Sequence, residues 1–264
     1  MKKNIKTIIV AAGVGSRLKK ITHVPKCVVT NKSNVSVIDT IINSLNNAGL
    51  NENDILVVSG YQRKILCDHI NGRTRIIHND SYYCTNNFIS LKLGFISFID
   101  ENIDCDLVVI DADTVVHDTS IIKKFFEYNT ENKSHIFLTA RYRNDEWYYL
   151  TDSGNKIIMV FKNITEAGTY CGTDSGHADA PKKNPATELL YTSTGITYFN
   201  HDDVCTIHKI LREIHNDSTN DNYNYWDDIY FHNLSKFKLY KYDITGLTSE
   251  IDSVEDYEKF INNR

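Results

Sequence analysis

The residues with the clearest chemical capacity run from Ala11 to Lys26, Ala-Ala-Gly-Val-Gly-Ser-Arg-Leu-Lys-Lys-Ile-Thr-His-Val-Pro-Lys. Small residues at Ala12, Gly13, Gly15 and Ser16 let backbone N–H groups approach a polyphosphate, and such donors need no side chain. Arg17 and Lys26 add positive charge, and an arginine can fork onto phosphate oxygens. Alone, a G-x-G after an apolar run is equally a dinucleotide fingerprint or a tight turn. The spacing narrows this. The third glycine of a dinucleotide fingerprint would fall at Leu18, and no acidic residue closes an apolar second strand about twenty residues on. The GK[ST] of a P-loop is missing as well.

A second cluster, Asp111-Ala-Asp113, closes the apolar run Leu107–Ile110. Such a pair can serve as a helix cap or turn acid. At the carboxyl edge of a sheet, facing a phosphate loop, it also suits a hard cation with oxygen ligands. Other reactive residues are unremarkable in placement. The ten histidines share no metal-ligand spacing, and the six cysteines form no CxxC or Cys/His cluster. That pattern predicts a reduced intracellular protein without a zinc site. Cys27 reads as a small buried filler beside Lys26.

The whole string G-x-G-x-R-L followed by T-x-x-P-K resembles the signature of the sugar-phosphate and related nucleotidyltransferases. Four further segments narrow the resemblance: Asn79 to Leu91, with Asn86, Asn87 and Ser90; Asn144-Asp-Glu-Trp147; Tyr225-Trp226-Asp227; and Glu250 to Tyr257. With the loop, they resemble bacterial CTP:phosphocholine cytidylyltransferases and their 2-aminoethylphosphonate-using relatives. The likeness runs in order over nearly the whole chain and fails at Thr165–Glu188, which reads as an insertion.

That resemblance implies a set of roles. Ala12, Gly13, Gly15, Ser16, Arg17 and Lys26 would hold the nucleoside triphosphate, with Gly60 near the base. Lys26, Arg17 and Asp113 would be catalytic. Mg²⁺ would be the cofactor, bound by Asp113 and Asp252, with Asp111 the secondary candidate. Asp252 has a rival role as a capping acid beside Ser253. Asn86, Asn87 and Ser90 would contact nucleotide or substrate phosphate, or else cap the helix that follows. Trp147 and Tyr225 would face the acceptor amine, since an aromatic face attracts an ammonium group. Asp227 and Glu250 would supply counter-charge, and Trp226 is either a further π face or core.

The implied reaction is cytidylyl transfer from CTP to a small phosphorylated or phosphonate amine of the phosphocholine type, releasing pyrophosphate. The product would be a precursor of a surface polysaccharide or phospholipid. A phosphomonoester is already an anion near neutral pH, so no general base is needed. Three rivals stand beside this. The acceptor could be a sugar phosphate or an amino-acid or amide phosphate, which an insertion at Thr165–Glu188 would accommodate. A nicotinamide-dependent oxidoreductase is disfavoured by the loop spacing. A non-catalytic nucleotide-binding module would bind CTP without turnover.

The elements that must carry these residues follow from periodicity. Ile5–Ala11 is a continuous apolar run ending in glycine, as a buried parallel strand reads. Ile38, Ile41, Ile42 and Leu45 keep helical spacing up to Gly49. Strands are expected at Ile55–Ser59, Thr74–Ile77, Leu107–Ile110 and His135–Ala140, with helices at Phe88–Phe98 and Ile121–Tyr128. Strand alternating with helix predicts a mostly parallel sheet, whose ligands gather at the strands' carboxyl ends. Further on, Glu146–Leu150 and Lys156–Phe161 predict a hairpin around Asp152-Ser-Gly154. Thr192–Phe199 reads as a strand and Val204–Ile214 as a helix. Ser253-Val-Glu-Asp256 is a capping box opening a last helix through Phe260.

The expected fold is thus a Rossmann-like mixed, mostly parallel α/β sheet flanked by helices, with a small antiparallel substrate-binding elaboration. Its 264 residues fit a single domain: a nucleotide-binding core at 1–145 and an acceptor-binding part at 146–264, interrupted by the insertion at 165–188. A net charge of −5 without a basic stripe excludes nucleic acid or an anionic membrane as the main partner. The apolar run after the first lysines is short and lacks a cleavage-like site. The chain is read as cytoplasmic, with CTP and the acceptor as partners and a homodimer left open.

Overall fold

A computed structural model describes residues 4–99, 103–140, 147–162, 190–216 and 223–262. The segment Thr165–Glu188 and residues 144–146 lie outside them.

The first half builds the expected alternation. Strand β1 (Ile5–Ala11) leads through the loop to α1 (Val37–Asn47), then β2 (Ile55–Ser59), α2 (Arg63–Ile70) and β3 (Arg75–His78). Helix α3 (Asn87–Phe98) precedes β4 (Asp106–Asp111), a short β5 (Thr114–Val116), α4 (Ile121–Tyr128) and β6 (Ser134–Ala140). Hairpin strands β7 (Tyr148–Thr151) and β8 (Ile157–Phe161) follow, then β9 (Tyr191–Phe199) and α5 (His201–Asn216). A one-turn helix α6 (Asp228–Phe231), strands β10 (Leu239–Asp243) and β11 (Thr248–Glu250), and α7 (Val254–Asn262) complete the described elements.

The main sheet runs β10-β6-β9-β4-β1-β2-β3. The β4, β1, β2 and β3 pairings are parallel, as is β10 with β6, whereas β9 enters antiparallel between β4 and β6. The mixed, mostly parallel sheet is therefore observed, and β7–β8 form the antiparallel elaboration. Asp152 makes the hairpin turn, its Oδ1 accepting from the N–H groups of Gly154 and Lys156.

Alternating side chains divide the core into two layers. Ile9 and Ala11 of β1 face α1, α2 and α4, with Ile38, Ile41, Ile42, Leu45 and Phe125 all buried. Ile8 and Val10 face α3 and α5, against Phe95 and Ile207. Helix α1 is opened by a Ser36/Asp39 capping box. The capping box expected at Ser253 is present too: Ser253 N–H donates to Asp256, and Asp256 N–H donates to Ser253 Oγ. Among the described residues no helix is long and apolar enough to cross a membrane.

Periodicity did not announce α2, β5, β10 or β11. The first is largely polar, and β5 and β11 have three residues each, too few for a repeat to register.

Candidate active site

Asp113 lies one residue before β5, and Asp252 lies two residues after β11. These two short strands pair antiparallel, Thr114 opposite Glu250, and the Ile251 N–H donates to the Asp113 carbonyl at 3.2 Å. This ladder brings together carboxylates from opposite ends of the sequence. Both reach one ammonium: Lys26 Nζ donates to Asp113 Oδ2 and, at 3.3 Å, to Asp252 Oδ1. Arg17 Nη1 stands 3.9 Å from the same Asp252 oxygen and is otherwise exposed. Capping of α7 falls to Ser253 and Asp256, which leaves the Asp252 carboxylate to the site.

The loop is shaped to present Lys26. Gly15 has φ +61, a left-handed conformation that costs a residue with a Cβ. A 3₁₀ turn at Ser16–Leu18 follows, and a second at Lys26–Val28 opens after Pro25. Leu18 anchors the turn from below. It packs in a small cluster with Val29, Val37, Val115, Ile251 and Phe260, so one apolar knot holds the loop, β5, the chain after β11, and α7. Gly13 is open on its Cβ side. At Gly60 a Cβ would lie 2.5 Å from the Ala12 carbonyl oxygen, and the neighbouring Tyr61 N–H donates to that carbonyl at 3.1 Å. Only glycine lets the end of β2 come this close to the loop. Cys27 is buried, and burial pushes its thiol up to about 12, as fits an inert filler.

Burial alone would lower the Lys26 ammonium. Asp113 and Asp252, by charge and hydrogen bond, more than reverse this and hold it above the ordinary lysine range. Among the described residues no group of three or more His, Cys, Asp or Glu side chains forms a ready-made metal cage. Two carboxylates converging on one cation do fit Mg²⁺, which is commonly held by one or two carboxylates plus substrate phosphates and water.

A second set of acids lies behind Asp113. Asp111 is half-buried and receives a hydrogen bond from Trp226 Nε1 at 3.0 Å. Burial, then the charges of Asp113 and Asp227, raise its carboxyl well above the usual range. Burial and then Asp228 push Asp227 up to about 7. Trp226 is only 2 % exposed, so it is core with one polar contact and offers no free face. Tyr225 beside it is 58 % exposed. Trp147 is half-buried, its ring 4.8 Å from that of Phe231 and 5.8 Å from Lys162 Nζ. Glu250 is half-buried in β11.

The Asn86-Asn87 segment turns toward this second set. Asn86 caps α3 by accepting from Ile89 N–H, and its Nδ2 donates to the Tyr223 carbonyl at 3.0 Å. Asn87 Oδ1 accepts from the Trp226 N–H at 2.9 Å. Ser90 is buried and accepts from Asn79 Nδ2, a strut beneath the helix start. Sequence reasoning missed Gly195, which lies in β9 with φ +72. A Cβ there would stand 2.9 Å from Thr114 Oγ1 and 3.1 Å from Asp111 Oδ2. Its signal was available: a lone glycine inside a strand marks close approach. Tyr149 and Tyr230, whose buried hydroxyls meet at 3.2 Å, were also missed; nothing in their spacing distinguishes them from core.

No protein-family model matches the chain. Sequence likeness nonetheless covers its length. Choline-phosphate cytidylyltransferase of Streptococcus pneumoniae is 26% identical over 259 residues, 97% of this chain and 96% of that protein. 2-Aminoethylphosphonate cytidylyltransferase of Lancefieldella rimae is 21% identical over 257 residues, 96% of this chain and 90% of that protein. A solved CTP:phosphocholine cytidylyltransferase from Streptococcus pneumoniae superposes with a TM-score of 0.74 at 24% identity, over 97% of both chains. The fold is that of the nucleotidyltransferases. Along its whole length the chain is similar to cytidylyltransferases of that fold.

Proposed function

We propose that the protein transfers the CMP unit of CTP to a small phosphorylated or phosphonate amine of the phosphocholine type, releasing pyrophosphate. The convergence of Lys26, Asp113 and Asp252 beside the glycine loop carries the reading. Full-length likeness to two cytidylyltransferases supports CTP as donor and an amine-bearing acceptor.

In the reaction, an acceptor phosphate or phosphonate oxygen forms a bond to the α-phosphorus of CTP. The bond from that phosphorus to the α,β-bridging oxygen breaks, and pyrophosphate leaves. The nucleophile is already anionic, because a phosphomonoester's second pKa is about 6. Backbone N–H groups of Ala12, Gly13, Gly15 and Ser16, with Arg17, hold the β- and γ-phosphates. Lys26 keeps its proton and sets a fixed positive charge at the α-phosphate. Gly60 leaves room for the base at the end of β2. Asp113 and Asp252 would hold Mg²⁺, which supplies Lewis-acid charge neutralisation. Trp147 and Tyr225 face the acceptor's ammonium while Asp227 and Glu250 balance its charge, with Asp111 behind them. Catalysis then comes from positioning and preorganised charge. We further infer a single domain, with residues 1–145 serving the nucleotide and 146–264 the acceptor, working in the cytoplasm.

The test is pyrophosphate release from each nucleoside triphosphate with Mg²⁺ and a panel of phosphocholine, 2-aminoethylphosphonate, sugar phosphates and amino-acid phosphates. CTP with a phosphorylated or phosphonate amine should be fastest. Lys26→Ala and Asp113→Ala should each lower kcat on the order of 10²–10³-fold. Near-full activity in either variant would refute the mechanism.

A further inference from the structure

The chain Tyr223–Asp228 carries the exposed Tyr225 and the acidic Asp227, yet it belongs to no strand and runs into a helix of one turn. Contacts from α3 and β4 fix it. Asn86 Nδ2 donates to the Tyr223 carbonyl at 3.0 Å, and the Phe88 ring stacks on Tyr223 at 5.0 Å. Asn87 Oδ1 accepts from the Trp226 N–H at 2.9 Å, and Trp226 Nε1 reaches Asp111 at 3.0 Å. Within the segment, Asp228 Oδ2 accepts from the N–H groups of Asn224 and Tyr225, both at 2.7 Å. Tyr225 therefore projects from a chain clamped on both sides of it. The clamp's outer jaw is the first turn of α3.

We propose that Asn87 is a positioning residue for the acceptor. Its side chain holds the Trp226 backbone, and through it Tyr225 and Asp227, against the end of β4. The Asn87 side-chain oxygen is committed to the Trp226 N–H, which ties this residue to the acceptor segment. Asn86 does the same for Tyr223 while capping α3. The inference rests on the proposed acceptor reading and adds which residue sets the acceptor platform.

The test compares wild type, Asn87→Ala and Asn87→Asp with CTP, Mg²⁺ and phosphocholine. Asn87→Ala should raise the acceptor KM by roughly tenfold or more, the scale expected from a small misplacement of a binding group. The KM for CTP should stay within about twofold. Asn87→Asp keeps an oxygen for the Trp226 N–H and should restore most of the loss, whereas a purely structural defect would not recover this way. A rise in the CTP KM equal to or larger than the acceptor's would put Asn87 on the nucleotide and overturn the proposal. Hydrogen exchange over residues 223–228 needs no substrate: Asn87→Ala should speed exchange of the Trp226 amide, and unchanged exchange would overturn the clamp. Wild type that turns over no phosphorylated amine would instead refute the acceptor reading, with the exchange result still deciding the clamp.

Discussion

Asp227 is a site residue whose ionisation the surroundings move to near neutral pH. Burial, then Asp228, raise it to about 7, against an unfolded value near 4. The folded state thus binds this proton more tightly than the unfolded state does. Its stabilising contribution is complete below about pH 4 and is lost as pH rises through about 7. Melting temperature should accordingly fall between about pH 5 and pH 8, and Asp227→Asn should flatten that slope. Acceptor binding should respond the opposite way, because the ionised carboxylate is the form that attracts an ammonium group. An acceptor KM that falls as pH rises through 7, in wild type and not in Asp227→Asn, is the expected result. Lys26 stays charged across the same range, since Asp113 and Asp252 overcome its burial, so it adds no titration of its own.

Among the elements, β9 and the β5–β11 pair decide whether the carboxylates meet. Gly195 lets β9 pass Asp111 and Thr114 closely, with φ +72. Gly195→Ala should cost about 1–2 kcal/mol for the left-handed backbone alone, measurable by denaturant unfolding, and the crowding of Asp111 should add to it. Phe260→Ala opens the knot under Leu18, Val115 and Ile251, and should destabilise by about 3–5 kcal/mol. Its kcat should drop even at temperatures where circular dichroism shows a folded protein, because the knot sets the register of loop and ladder. Much of this frame was legible beforehand. Continuous apolar runs marked β1, β2 and β4, and 3.6-residue spacing marked α1 and α3. The ladder was not legible: three-residue strands carry no period, and their pairing depends on tertiary packing. That is why Asp252 was readable only through a resemblance, with a capping role open beside it. The ladder brings its carboxylate to Lys26, while Ser253 and Asp256 make the helix cap. Trp226 was ambiguous for a related reason, since an indole on a surface and one in a core look alike in sequence. Its donation to Asp111 is a long-range fact.

For the molecule as a whole, two core layers on either face of one sheet carry the fold, independent of the polar groups at the strand ends. Metal removal should therefore separate function from stability. Chelation with EDTA should abolish pyrophosphate release while leaving the melting temperature of the substrate-free protein essentially unmoved, because two carboxylates bind Mg²⁺ weakly without phosphates. A large drop in melting temperature would mean that metal is part of the structure.

Lys26 and Asp252 touch across 226 residues of sequence. A nascent chain that has emerged from the ribosome only to residue 240 already holds the loop, Asp113 and most of the sheet, yet has neither β11 nor its carboxylate. Such a chain also lacks Ile251 and Phe260, which pack under Leu18 of the loop. On the proposed mechanism the site is complete only once β11 docks on β5, so a chain clipped before β11 should release no pyrophosphate.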